Sequence, residues 1–131
     1  MVLERRTRAA VGRIGEDAVV NLLARNGHTL LARNWRWHKA EVDVVTLHGK
    51  TVVFHEVKSR AGCVHLDLEA VLPSAAQRQR LVKAAHAFLR GSPRLPAECC
   101  FWVEVVHVGA TSVDVQWVPE AFDPFECAGA R

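Results

Sequence analysis

The sequence predicts an α/β domain in which two helices pack on a mixed or mainly antiparallel sheet, in the order α-β-β-β-α-β-β. Two segments repeat apolar residues at helical spacing, and five shorter segments are rich in β-branched and aromatic residues. The length of 131 residues fits one domain that can bury a sizeable core without disulfides. We therefore expect residues 1–131 to form one unit, with its core at about 9–122.

The first four elements follow from residue spacing and stop signals. A helix is predicted over residues 9–26, because apolar residues recur there at helical intervals and Gly27 follows as a stop signal. Three strands are predicted next, at residues 29–37, 41–47 and 51–58. Gly49 lies between the last two strands, which indicates a tight hairpin.

The second half of the chain is predicted to add one helix and two strands. Ser74 is a typical N-cap for a helix that runs to about Arg90. The apolar stripe of this helix consists of Leu81, Ala84, Ala85 and Phe88. Residues 61–72, before the helix, are predicted to form an irregular connection. The last two strands are predicted at about 101–108 and 112–118, around a turn at Gly109.

Composition excludes several classes of protein. Half the residues are apolar and 24% are charged, which excludes a disordered chain, a collagen or a coiled coil as the main structure. No apolar run approaches the ~18 residues of a membrane span, and the first six residues lack the apolar region of a signal peptide. We expect a soluble, cytoplasmic protein with no membrane partner. The cysteines have no zinc-site spacing and are expected to be reduced thiols; they are Cys63, Cys99, Cys100 and Cys127.

Charge is distributed unevenly along the chain. Residues 1–40 carry eight Lys/Arg and three acidic residues, residues 76–95 carry five and none, and residues 96–131 carry one and six. Two basic segments on one face would attract a polyanion, and nucleic acid is favoured over a membrane because neither segment is strongly apolar. A solvated charged surface explains the same pattern equally well.

The central hairpin is predicted to place two carboxylates side by side. A type II′ turn at Gly49-Lys50 would pair Asp43 with Glu56, with their Cβ atoms about 5 Å apart. Like charges at such positions are destabilising unless something neutralises them, and a hard divalent cation does this well. A register slip of one residue would turn Asp43 to the opposite face. The alternative is a salt bridge between Asp43 and Lys58 on a solvent face.

Lys58 is predicted to complete a group of three. Side chains two apart on a strand share a face, so Lys58 would lie beside Glu56. There it could orient or deprotonate an attacking water, or stabilise charge that develops on a phosphate. An aspartate followed by Glu-x-Lys on the next strand resembles the metal-binding signature of the PD-(D/E)xK nuclease superfamily.

Further motifs, in the same order and spacing, resemble the YraN-like family of small bacterial proteins and span about residues 12–122. These motifs are Gly15-Glu16, Arg33-Asn34, Glu41-Val42-Asp43, the segment Phe-His-Glu-Val-Lys-Ser-Arg at 54–60, and Arg80-Leu81. The resemblance implies a restriction-endonuclease-like (tRNA-endonuclease-like) fold. It also implies a nuclease that depends on Mg²⁺ or Mn²⁺ and is related to Holliday junction resolvases.

The resemblance implies a role for each matching residue. Asp43 and Glu56 correspond to the metal carboxylates, and Lys58 corresponds to the catalytic lysine. Glu16 resembles the first-helix glutamate that joins the metal site of the resolvases; the alternative is a solvated first-turn glutamate that interacts with the helix dipole. Glu41 shares a face with Asp43 by strand period and is a further metal-ligand candidate, with a surface acid as the alternative.

Three further positions, at which this sequence departs from the family pattern, are Gln77, His55 and Glu104. Gln77 lies four residues before Leu81 on the predicted apolar stripe, where its amide should be hydrogen-bonded, and we expect the site to be its partner. The family usually has a lysine at this position. His55 stands where the family prefers valine and is predicted to face away from Glu56. Glu104 stands where the family usually has an aspartate, and it is expected to be structural, with support of the site from behind its ligands as the alternative.

The sequence thus predicts a metal-dependent endonuclease that acts on structured or branched DNA, with DNA favoured over RNA. The alternative is a nucleic-acid-binding or assembly module that keeps the fold but does not cleave. The basic residues predicted to grip the backbone are Arg13, Arg78, Arg80 and Lys83. Resolvases act as symmetric dimers, which by analogy implies a homodimer. Trp35 and Trp37 are expected to fill the core rather than to stack on unpaired bases.

Overall fold

The computed structural model describes residues 7–62 and 72–122, which form two helices and five strands. The elements are α1 (Arg8–Arg25), β1 (Thr29–Trp37), β2 (Ala40–His48), β3 (Thr51–Ala61), α2 (Ala75–Arg90), β4 (Cys99–Val108) and β5 (Val113–Phe122). The predicted order α-β-β-β-α-β-β is confirmed. Most of the connection predicted at 61–72 lies outside the described residues, as do Cys63 and Cys127.

The five strands form one mixed sheet in the order β1-β2-β3-β4-β5. Neighbouring strands are antiparallel except β3 and β4, which are parallel and are connected through α2. A parallel pair requires such a crossover, whereas antiparallel neighbours need only a short turn. β3 runs three residues further than predicted, because its pairing with β4 continues to Ala61 and Val108. No helix of the described segments is long and apolar enough to cross a membrane.

The two helices lie on opposite faces of the sheet. On one face, Val82 and Ala85 of α2 pack with Phe54 and Phe101 of the sheet. On the other face, the core around α1 includes Val19, Leu23, Val44 and Val106. Each helix therefore buries its own apolar layer, and the residues of one strand alternate between the two layers.

The tryptophans of β1 belong to the core on the α2 face. Trp35 and Trp37 are partly buried against this core, and the Trp35 ring lies edge-on to Phe88 with ring centroids 5.3 Å apart. The prediction that they fill the core is confirmed.

Helix α1 packs unusually closely on β3 because of one glycine. Gly15 is buried, and a Cβ built at this position would overlap the side chain of Ser59 and lie 3.3 Å from Val106. A glycine lets the helix backbone approach the strand where any side chain would hold it away. This gives a physical reason for the Gly15-Glu16 motif, since the close approach brings the next residue, Glu16, over the sheet.

The register of the central hairpin is the predicted one from the turn to Val44 and His55, but the predicted pair of Asp43 and Glu56 lies beyond the end of this ladder. The pairs run from His48 and Thr51 at the turn to Val44 and His55. Gly49 has a φ of 62°, the left-handed value that a type II′ turn requires at its first position.

The pleat of β2 is interrupted next to Asp43, where its pairing with β3 ends. The ladder between β2 and β3 ends at Val44, and Val42 belongs to the core on the α2 face whereas Val44 belongs to the other. In a regular strand these two residues would share a face. Asn34 of β1, which lies opposite Asp43, has a φ of 50°. Asparagine tolerates this left-handed conformation better than most residues. The interruption of the pleat therefore coincides with Asp43.

Candidate active site

The three residues of the predicted carboxylate and lysine group meet around one stretch of β3. Asp43 Oδ2 accepts a hydrogen bond of 2.8 Å from the backbone N–H of Val57, the residue between Glu56 and Lys58. Lys58 Nζ lies 2.8 Å from Glu56 Oε1, and both side chains are partly buried. Among the described residues the ion pair of Lys58 is therefore with Glu56, and the alternative of an Asp43–Lys58 salt bridge is wrong.

The interruption of the ladder explains how Asp43 reaches this position. If the register continued, Val57 would pair with Val42, and its N–H would donate to a backbone carbonyl. The carboxylate of Asp43 instead accepts this N–H. A side chain that replaces a ladder bond is fixed in the gap between two strands, so the position of the carboxylate is set by the sheet itself.

The pKa of Asp43 is raised from 3.8 to about 6. Burial is the largest cause, because removal from water penalises the charged form of a carboxylate. The hydrogen bond from Val57 lowers the pKa, whereas the charges of Glu56, Glu16 and Glu41 raise it further. Four carboxyl groups therefore interact electrostatically here, as expected for a site that attracts a cation.

Glu16 is held at the edge of this group by β1. Its Oε1 accepts hydrogen bonds from Arg33 Nε at 3.0 Å and from Asn34 Nδ2 at 3.2 Å. The same arginine bonds to Asp17 at 2.8 Å, and the two hydrogen-bonded acids raise the pKa of Arg33. The alternative of a solvated first-turn glutamate is wrong, because Glu16 lies in the middle of α1 and its side chain is only 15% exposed.

The structure gives the Arg33-Asn34 motif a role that sequence reasoning did not assign. Both side chains fix Glu16, and the left-handed backbone of Asn34 occurs where the pleat is interrupted. An asparagine inside a predicted strand is a sequence signal for a left-handed residue at that position.

A cleft of 120 Å³ lies between the sheet and α2, beside the carboxylates. It is lined by Lys39, Ala40, Glu41, Glu56, Gln77, Arg80 and Leu81. Glu41 is exposed and pairs with Arg36 across the strands at 3.3 Å, so it is a surface acid that also faces the cleft beside Glu56. Its position is compatible with a metal ligand and with a surface acid.

Gln77 lines the cleft but does not have the expected partner. Its side chain is exposed, and its Oε1 accepts the backbone N–H of Ser74 at 2.9 Å, which completes a capping box at the start of α2. The apolar-stripe interpretation was wrong because Gln77 is the third residue of the helix, where a glutamine serves the helix end. The Ser-x-x-Gln spacing is the sequence signal for this cap.

The four basic residues proposed to grip a backbone lie on two helices that pack on opposite faces of the sheet. Arg13 lies on α1 and the other three on α2, so the sheet separates them. Arg80 is exposed and lines the cleft, Lys83 is exposed, and Arg78 has a buried Nε with no partner within the described residues. Arg80 is therefore the basic residue of this set that the cleft brings to the carboxylates.

The donor set at the site fits a hard divalent cation with few protein ligands. Within residues 7–62 and 72–122, no group of three or more His, Cys, Asp or Glu converges to hold a metal ion. Mg²⁺ usually takes one or two carboxylates and completes its octahedron with waters and substrate phosphates. Asp43 and Glu56 offer two carboxylates, and the charges of Glu56, Glu16 and Glu41 add to the effect of burial in raising the pKa of Asp43.

A second polar group, buried on the α1 face, was largely missed by sequence reasoning. His55 does face away from Glu56, as predicted: its Nδ1 lies 3.0 Å from Glu104 Oε2, and both side chains are fully buried. Burial raises the pKa of Glu104, while the hydrogen bond and charge of His55 lower it. Thr46 and His28 continue this chain of hydrogen bonds. No local pattern links residues so far apart in sequence.

Comparison with known proteins identifies relatives over most of the chain. A family profile described as "Uncharacterised protein family UPF0102" matches residues 15–115. A UPF0102 protein of Nitratidesulfovibrio vulgaris (strain DP4) is 35% identical over 122 residues, which cover 93% of this chain and 90% of that protein. A UPF0102 protein of Ectopseudomonas mendocina (strain ymp) is 38% identical over 117 residues, which cover 86% and 94% of the two chains.

Similarity to solved structures is much weaker. A protein described as "Crystal structure of SSO0001" has a TM-score of 0.35 and 14% identity, and this chain spans 57% of its length. A second, "The structure of Pyrococcus Furiosus SfsA in complex with Ca2+", has a TM-score of 0.32 and 15% identity, and this chain spans 61% of it. These similarities carry no argument about function.

Proposed function

The chain belongs to the UPF0102 family, and from this membership and the site geometry we propose that it is a metal-dependent endonuclease acting on structured or branched DNA. One observation carries the proposal. Asp43 is bonded to the backbone between Glu56 and Lys58, so one carboxylate is fixed against the Glu-x-Lys segment by the sheet. This hydrogen bond constrains the position of Asp43 relative to Glu56 and Lys58, which the sequence motif alone does not do.

Asp43 and Glu56 are the residues that would hold Mg²⁺ or Mn²⁺. The bound ion would supply a water of lowered pKa and charge neutralisation at the scissile phosphate. Glu16 would act next to them, because its clamp by Arg33 and Asn34 holds a third carboxylate within electrostatic range of Asp43.

Lys58 is the residue proposed to act on the substrate. Its ammonium group is paired with Glu56 and remains partly exposed, so it can reach a phosphate at the mouth of the site. There it would stabilise the charge that develops on the phosphate oxygens, or hold the attacking water.

The nucleic acid would approach through the cleft beside α2. Arg80 lines this cleft together with Glu56, and Lys83 is exposed one turn further along α2. Phosphate contacts of this kind position a duplex without reading its sequence. Branched DNA as the substrate, and a homodimer that would match its two-fold symmetry, are proposed from the resemblance to resolvases.

The test is cleavage of a four-way DNA junction and of a linear duplex of the same sequences, with Mg²⁺, Mn²⁺ or EDTA. We expect junction cleavage that requires metal and falls by about 100-fold or more in Lys58→Met. The matched control is Lys50→Met, because Lys50 is exposed in the hairpin turn on the same sheet and should not affect cleavage.

A mock purification controls for contaminating nuclease. Cleavage that survives both Lys58→Met and Asp43→Asn would refute the proposed site. Tight junction binding without cleavage under any metal condition would instead favour the alternative of a binding module that no longer cleaves.

A further inference from the structure

Four buried side chains form a continuous chain of hydrogen bonds across the α1 face. Glu104 Oε2 lies 3.0 Å from His55 Nδ1, and His55 Nε2 lies 2.9 Å from Thr46 Oγ1. Thr46 Oγ1 in turn lies 2.8 Å from His28 Nδ1. All four residues are at least nine-tenths buried. The proposed nuclease site uses none of them.

With Glu104 as a carboxylate and a single ring hydrogen on His55, the hydrogens along this chain determine the tautomer of His28. Thr46 has a single hydroxyl hydrogen, so it donates to one imidazole and accepts from the other. With the carboxylate of Glu104 as acceptor, His55 Nδ1–H donates to Glu104 and Nε2 accepts from Thr46. His28 Nδ1–H then donates to Thr46, and His28 Nε2 keeps its lone pair. Burial, followed by the charges of His48 and His55, lowers the pKa of His28 to about 4, so the ring stays neutral.

His28 is also part of the wall of a cavity of 360 Å³. The other lining residues are Leu23, Asn26, His48, Trp102, Trp117 and Pro119. His28 and His48 stack with ring centroids 4.1 Å apart and planes within 3°, and Trp102 lies edge-on to His28 at 5.5 Å. This volume lies at the lower end of the range for small-molecule sites. It therefore suits one flat ring or a nucleoside.

The polar groups of this cavity define what it can bind. Its described lining contains no Asp, Glu, Lys or Arg, so a neutral ligand is favoured. His28 Nε2 requires a hydrogen-bond donor. The indole N–H of Trp102 has almost no accessible surface, so it does not face the cavity, and Trp102 contributes only its ring to the wall. A ligand N–H would satisfy His28 Nε2, and the rest of the ligand would pack against the rings of the lining.

We propose that this cavity binds a neutral planar heteroaromatic ring that carries a ring N–H, such as the N3–H of a thymine or uracil base. The aromatic walls would stack on or pack against the ring, as protein sites for unpaired bases do. His28 would accept the N–H, and the chain from Thr46 to Glu104 holds His28 in the tautomer that accepts.

This cavity is separate from the proposed nuclease site. The cavity lies on the α1 side of the sheet, near the hairpin turn where His48 ends β2. The carboxylate cleft lies beside α2, near the start of β2. The two sites share no lining residue.

The test compares the binding of thymidine and N3-methylthymidine to the full chain, by calorimetry and by tryptophan fluorescence. The methyl group removes the donor and leaves the ring, so we expect about tenfold or greater loss of affinity. His28→Phe should weaken thymidine binding similarly while keeping a flat ring. His86→Gln, a histidine of α2 away from the cavity, is the matched control.

Oligothymidylate distinguishes a base presented by a strand from a free nucleoside. A base in a strand would bind more tightly than thymidine, and His28→Phe would abolish the advantage. Equal affinity for the two nucleosides would overturn the proposal, as would the absence of binding by both nucleosides and by the oligonucleotide. The nucleoside comparison uses the wild-type protein, so it remains decisive if His28→Phe does not fold.

Discussion

Asp43→Asn should stabilise the metal-free protein above about pH 6 while abolishing cleavage. Asparagine removes the charge that is costly to bury but keeps an oxygen that can accept the N–H of Val57. A rise of the pKa from 3.8 to about 6 corresponds to at most about 3 kcal/mol of unfolding free energy. Loss of activity together with a gain in stability is the signature of a site residue rather than a structural one.

The pH dependence gives the sign of this effect. Below about pH 4, Asp43 is protonated in both the folded and the unfolded chain, so wild type and Asp43→Asn should be equally stable with respect to this group. Between about pH 4 and pH 6 the unfolded chain releases the proton first, and the wild type loses stability. Above about pH 6 the folded protein carries the charge and the full difference is reached.

Urea unfolding from pH 4 to pH 8 measures this difference, with Asp114→Asn as the control at an exposed aspartate of β5. Mg²⁺ or Mn²⁺ should raise the melting temperature of the wild type by mass action, and that of Asp43→Asn much less. If Asp43→Asn destabilised the protein equally at every pH and metal shifted both melting temperatures alike, Asp43 would be a structural residue and not a metal ligand.

Two further predictions test the packing of α1 and the cleft. Gly15→Ala should destabilise the fold by about 1–3 kcal/mol in urea unfolding, because the new Cβ would overlap Ser59. The control Gly12→Ala has free space and should be neutral or stabilise α1 by up to about 1 kcal/mol. Equal effects of the two substitutions would contradict the close approach of α1 to β3. Arg80→Glu should weaken junction binding and reduce its dependence on salt concentration, because Arg80 lines the cleft. The control Arg94→Glu, in the loop after α2, should change neither. An unchanged salt dependence in Arg80→Glu would show that the cleft is not part of the binding surface.

The sequence by itself determined the local parts of this protein. The type of every described element followed from spacing and stop signals, and the hairpin register followed from Gly49 and the two-residue period of a strand. The shared face of Glu56 and Lys58 has the same origin. These features are set by backbone geometry within a few residues, so the chain specifies them before any packing.

Only the tertiary structure decided the contacts between distant segments. The clamp of Arg33 on Glu16 joins residues 17 apart in sequence, and the bond of His55 to Glu104 joins residues 49 apart. The parallel pairing of β3 with β4 also depended on how α2 packs on the sheet. Sequence spacing specifies the direction of a side chain along its own element, whereas its partners depend on which elements pack together.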